Sequence, residues 1–132
     1  LKKKINVRNK GASHERSIAI ALRGIDKTAL RNVSECQTAS VDIITKLPLA
    51  IQCKALKRWS ITPHNIYEQA CEGSLHKDDV PVGIVKINKR QPQLAFMALD
   101  HFIMLLEKLY GKDENRSEID QLRSWIIDDV QA

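Results

Sequence analysis

Three polar side chains stand out against apolar surroundings near the middle of the chain: Asp42 in Val41-Asp42-Ile43-Ile44, and Gln52 and Lys54 in Ala50-Ile51-Gln52-Cys53-Lys54. A carboxylate, an amide oxygen and an ammonium can together hold a cation and meet a developing anion. Both segments alternate apolar or β-branched positions, and Lys46-Leu47-Pro48 breaks the run between them, which predicts two antiparallel strands joined by a tight connection. Pairing about Leu47 would set Asp42 opposite Gln52, and residues two apart share a strand face, so Gln52 and Lys54 would project together. Opposed residues lie roughly 4.5 to 5.5 Å apart, near enough for Asp42 and Gln52 to grip one cation with the Lys54 ammonium beside it.

A fourth polar residue, Glu15, belongs to an earlier element. Ser13 is a plausible helix cap, followed by Ile18, Ala19, Leu22 and Ile25 at helical spacing before Gly24 and Asp26 break the pattern. Glu15 falls on that apolar stripe. Burying its carboxylate is costly unless a metal, a lysine or an arginine meets it, although a glutamate near a helix N-terminus is also favoured by the helix dipole.

The elements that must position these groups follow from the same patterning. Residues 28–33, 42–45 and 49–54 read as strands, and residues 34–40 as a polar loop. Thr62-Pro63 opens a helix that runs to about Cys71 and stops at Gly73, with Ile66, Ala70 and Tyr67 on its buried side and Gln69 within reach of the sheet, or simply solvated. Residues 80–87 and 93–98 form a second hairpin with Lys89 and Arg90 at its tip. Asp100 is the expected cap of a helix carrying Phe102, Ile103, Leu105, Leu106 and Leu109, ended by Gly111. Ser117 begins a last, acidic helix with Ile119, Leu122, Ile126 and Val130 at helical spacing, suited to pack on the domain or on a second subunit.

With 132 residues the chain fits one domain with its own core. No stretch approaches the ~18 to 20 apolar residues of a membrane span, and the basic start lacks the apolar run of a signal peptide, so a soluble, intracellular protein is expected. Cys36, Cys53 and Cys71 have neither disulfide nor zinc spacing and read as buried free thiols. The net charge of +5 conceals an asymmetry: residues 1–60 hold 13 Lys and Arg against 4 Asp and Glu, whereas residues 61–132 hold 8 against 12. A basic field around an acidic site suits a polyanion, with a solvated basic surface as the simpler alternative. Residues 1–12, with Lys2, Lys3, Lys4, Arg8, Lys10 and Gly11, read as a flexible basic arm that only a partner would order. Neither a Walker loop nor GxGxxG occurs, so a nucleotide cradle has no support.

Glu15, Asp42 and Gln52-Cys53-Lys54, in that order and at that spacing, resemble the active-site pattern of the PD-(D/E)XK nuclease superfamily. Within it the chain is most similar to archaeal and viral Holliday junction resolvases, in which KG-x-x-x-ER opens the first helix and [IV]ECK marks a strand. The matching segments are Lys10-Gly11-Ala12-Ser13-His14-Glu15-Arg16 and Ile51-Gln52-Cys53-Lys54. The likeness spans roughly residues 8–110. It implies an α/β, restriction-endonuclease-like fold: a central mixed sheet of about five strands flanked by helices, plus a C-terminal helix. The implied organisation is a basic arm at 1–12, a nuclease domain at 13–111 and a helical extension at 112–132.

The resemblance makes Asp42 the central ligand of Mg²⁺, with Mn²⁺ as substitute, Gln52 a further ligand, Glu15 a ligand directly or through water, and Lys54 the catalytic cation. Gln69 resembles a helix residue that supports the site. Lys10, Arg16, Arg31, Lys57 and Arg58 become candidate DNA-backbone contacts, with Lys89 and Arg90 extending the basic face. The implied activity is metal-dependent hydrolysis of four-way DNA junctions by a homodimer, in DNA recombination and repair. Other outcomes are a restriction or repair nuclease, or an inactive DNA-binding relative. Two positions depart from the pattern: Val41 replaces the usual proline, and Gln52 replaces the usual glutamate, which removes one negative charge. Glutamine at this position also occurs in a methyl-directed restriction branch of the superfamily.

Overall fold

Helix-forming residues start earlier than the Ser13 cap predicts. In the computed structural model, which describes residues 7–33, 41–74, 78–111 and 116–131, the first helix α1 spans Val7–Leu22. It therefore takes in Lys10 and Gly11, which were assigned to the arm. One glycine costs a helix only about 1 kcal/mol relative to alanine, too little to stop this segment. Ala19 is buried and Ile18 and Leu22 half-buried, but Ile25 lies beyond the helix end and is exposed. Lys2, Lys3, Lys4 and Cys36 lie outside the described residues.

Two short strands follow, β1 (Leu30–Arg31) and β2 (Ile43–Ile44), paired antiparallel with Arg31 facing Ile43. Then come β3 (Leu49–Ala55), α2 (Pro63–Glu72) and β4 (Val80–Lys86), with β3 and β4 parallel. The helical crossover is what a parallel pair requires, and the apolar run Val80-Pro81-Val82 matches a strand covered on both faces. Thr62 caps α2 as expected, its hydroxyl accepting the Asn65 N–H at 3.2 Å with Pro63 in the first turn. Ile66 and Ala70 are fully buried and Tyr67 half-buried, whereas Cys71, expected to be buried, is exposed. Strand β5 (Leu94–Phe96) completes the second hairpin antiparallel to β4.

The expected single sheet of about five strands is instead two sheets, β1-β2 and β3-β4-β5. The division falls beside Asp42. Its N–H donates to the Ile51 carbonyl at 3.0 Å, but the N–H of Cys53 goes to the Asp42 carboxylate at 2.7 Å. A side chain thus takes a donor that a regular ladder would give to a backbone carbonyl.

The chain separates into two compact units, Leu1–Met97 and Ala98–Ala132. The second holds α3 (Leu99–Tyr110) and α4 (Arg116–Gln131), so residues 98–111, grouped by sequence with the nuclease domain, belong with the C-terminal helix. Ala98 occupies the N-cap of α3 with no side-chain hydrogen bond, and Asp100, the expected cap, sits in the first turn. No α3 residue is buried; Leu99, Phe102, Leu109 and, on α4, Trp125 are exposed. No helix among the described residues is long and apolar enough to cross a membrane.

Candidate active site

Asp42 is fixed on both sides of Gln52: its backbone bonds Ile51 and its carboxylate bonds Cys53. This lateral grip replaces the directly opposed Asp42–Gln52 pair expected from the sequence. Asn32, just past β1, secures the same corner from behind by donating its N–H to the Asp42 carbonyl and its side-chain amide to the Val41 carbonyl, both at 2.9 Å. Asp42 therefore has little freedom at its backbone.

The surroundings of Asp42 disfavour its ionised form. Removal from water pushes the Asp42 carboxyl up to about 6; the neighbouring Glu15 charge adds to this, while the Cys53 hydrogen bond, Lys54 and Arg31 oppose it. Glu15, Lys54 and Arg31 are thus the charges that act on Asp42, which places three of the four sequence-singled residues in one electrostatic neighbourhood. The fourth, Gln52, is buried at 8 % exposure, and its Oε1 has no hydrogen-bond partner among the described residues. A buried carbonyl oxygen without a donor is costly. Among the described residues no three His, Cys, Asp or Glu side chains gather as a metal cage. Asp42, Glu15 and Gln52 offer two carboxylates and an amide, oxygen donors of the class that Mg²⁺ takes, with less charge than an all-carboxylate set.

No known protein family, no curated protein and no solved structure matches the chain. The resemblance to the nuclease superfamily rests on the sequence pattern of these residues alone.

Glu15 has the cationic partner its position on α1 demanded. Arg31 Nε donates to Glu15 Oε2 at 2.7 Å, with the two side chains only 30 % and 19 % exposed. Sequence reasoning placed Arg31 on the DNA-facing surface and did not link it to Glu15; sixteen residues separate them, and only the packing of α1 against β1 brings them together. Lys10, Arg16, Lys57 and Arg58 are exposed, as are Lys89 and Arg90 at the hairpin tip. Gln69 is half-buried on α2 and makes no hydrogen bond to the Asp42 cluster. The Cys53 thiol is pushed far up by burial, with the charges of Asp42 and Glu15 adding to the shift, so it stays protonated and unreactive.

Two further side chains, Asp26 and His14, tie together elements around the site. Asp26 accepts four hydrogen bonds: from Thr28 N–H at 2.9 Å, Thr28 Oγ1 at 2.6 Å, Thr45 Oγ1 at 2.7 Å and Lys46 N–H at 2.8 Å. It ties the turn after α1 to the link between β2 and β3, and these donors hold its carboxyl well below the usual carboxylate range. The D-x-T spacing of Asp26 and Thr28 was a legible turn signal; its reach to Thr45 was not. His14, next to Glu15 on α1, is buried, and its Nε2 pairs with the Gln93 Oε1 at 2.9 Å. In the sheet, Gly83 lies between Gln52 and Phe96 in register, and the Phe96 ring fills the space where a Cβ at Gly83 would stand. An aromatic wall therefore flanks the Gln52 row.

Proposed function

We propose that the chain is a Mg²⁺-dependent deoxyribonuclease of the PD-(D/E)XK kind that cuts branched DNA, with four-way junctions as its substrate. The observation that carries this reading is the buried, unpartnered Gln52 Oε1 on a strand whose flanking residues, Ile51 and Cys53, hold Asp42, whose own carboxyl is raised; a cation bound to both would relieve the two together. Asp42 and Gln52 would hold the ion, with Glu15 reaching it directly or through water. When bound, Mg²⁺ lowers the pKa of a ligand water and stabilises charge on the phosphate. Lys54, whose charge already acts on Asp42, would orient the attacking water or meet the phosphorane oxygens. Exposed Lys10, Arg16, Lys57 and Arg58 supply backbone contacts that read shape and charge. Two symmetric nicks need two sites, hence a homodimer, and the exposed apolar residues of α3 and α4 leave surface available for a second copy.

A second reading, a DNA-binding relative that does not cut, is favoured by the neutral Gln52 and by the arginine held on Glu15. An end-labelled four-way junction incubated with Mg²⁺ or with EDTA separates the two. Mg²⁺-dependent product supports the nuclease; salt-sensitive binding without product supports the binding protein.

A further inference from the structure

Glu15 is paired with Arg31, and Asp42 feels the charges of Glu15, Arg31 and Lys54. The corner is therefore close to neutral before any metal arrives. A divalent ion binds oxygen ligands in proportion to their charge, and this set offers it little net attraction. Moreover, one Glu15 oxygen is held by Arg31 and one Asp42 oxygen by Cys53. Displacing Arg31 from Glu15 without giving it another anion would leave a half-buried guanidinium uncompensated, which costs free energy. A DNA phosphate is such an anion, since the planar guanidinium matches two phosphate oxygens at once.

We propose that Arg31 acts as an internal counter-cation that occupies Glu15 in the free protein and exchanges it for a substrate phosphate, so that divalent-metal binding is coupled to DNA binding. The exchange is balanced: the Glu15–Arg31 pair is replaced by a Glu15–metal contact and an Arg31–phosphate pair, and no covalent bond changes. It rests on the metal-site reading above and adds to it an order of assembly and a role for Arg31 as a positioning residue. Metal and DNA must then strengthen each other by the same factor, because the coupling is reciprocal.

Mn²⁺ binding to the DNA-free protein, followed by the paramagnetic resonance signal of the free ion, tests this without any turnover. Arg31→Gln should bind Mn²⁺ at least about fivefold more tightly than the wild type, while Arg31→Lys, which keeps the charge, should stay close to it. In the wild type, fluorescence anisotropy should show junction affinity rising with Ca²⁺, and a Ca²⁺ titration with junction present should give the same factor. Unchanged Mn²⁺ affinity in Arg31→Gln, or junction affinity indifferent to Ca²⁺, overturns the exchange. Asp42→Asn keeps the two readings apart. If it binds Mn²⁺ as well as the wild type, the metal site itself lies elsewhere; if it loses Mn²⁺ while Arg31→Gln gains nothing, the exchange alone fails.

Discussion

Asp26 and Asp42 are aspartates beside the same strand pair, and the fold treats them in opposite ways. Asp26 accepts four hydrogen bonds from the ends of two loops, which keep its carboxyl ionised. Asp42, half-buried, accepts one from Cys53; loss of water around its carboxyl, with the charge of Glu15 adding to it, pushes it up to about 6. A carboxylate whose oxygens are filled by donors belongs to the architecture. One that is partly dehydrated, under-donated and subject to the charge of another acid is costly for the free protein and open to a cation. The difference lies in the partners, since the side chains are identical.

The largest effect should separate the two residues by activity. Asp42→Asn should cut Mg²⁺-dependent cleavage by about a thousandfold or more while leaving junction binding within about twofold, since it removes the central ligand and no phosphate contact. Asp26→Asn, at equal folded concentration, should cleave at the wild-type rate. Retained cleavage in Asp42→Asn would remove the distinction.

Stability should reveal the contrast with opposite signs. The folded pKa of Asp42 is raised, so the folded state holds its proton more tightly than the unfolded chain. Its contribution to stability is present below pH 4 and is lost as pH rises through about 6. In EDTA at pH 7, Asp42→Asn should therefore be more stable than the wild type by about 2 kcal/mol after allowance for solvent screening, with the gap closing below about pH 4. Urea unfolding across pH 3 to 8 checks this; a gap independent of pH contradicts it. Asp26 has a depressed pKa, so its contribution is present above pH 4 and fades on acidification. Asp26→Ala should lower the melting temperature at pH 7 by about 5 to 10 °C, and by less at pH 3. A loss of equal size at both values would mean that its ionised form is not what binds the loops.

The smallest expected change sharpens the metal side of the comparison. Gln52→Glu would add a charge to the proposed ligand set and should lower the Mg²⁺ concentration for half-maximal cleavage about tenfold. An unchanged requirement would show that the Gln52 oxygen is not a ligand.

Much of this arrangement could be read from the chain because it is local. The alternation of residues 49–54 and Thr62-Pro63 at a helix start declare themselves within a few residues, and β3 and α2 form as expected, whereas the antiparallel hairpin expected through Pro48 does not, since β2 pairs with β1 and β3 lies parallel to β4. What could not be read depends on contacts across distance. Arg31 finds Glu15 through helix packing, Asp26 reaches Thr45 and Lys46 across nineteen and twenty residues, and His14 meets Gln93 across seventy-nine. The sheet divides because the Asp42 side chain intercepts the Cys53 N–H, which binary patterning does not encode. Helix limits shifted for a different reason: Gly11 and Ser13 are weak punctuation inside a segment that otherwise favours helix.

The central claim is that the Asp42 corner cuts branched DNA with a divalent ion, and side-by-side cleavage of a labelled four-way junction and its matched linear duplex tests it most directly. The account predicts paired, symmetric nicks on the junction in Mg²⁺ or Mn²⁺, and none on the duplex, in EDTA or with Asp42→Asn. Cleavage that survives EDTA or Asp42→Asn, or a junction bound yet left whole in both metals, would contradict it.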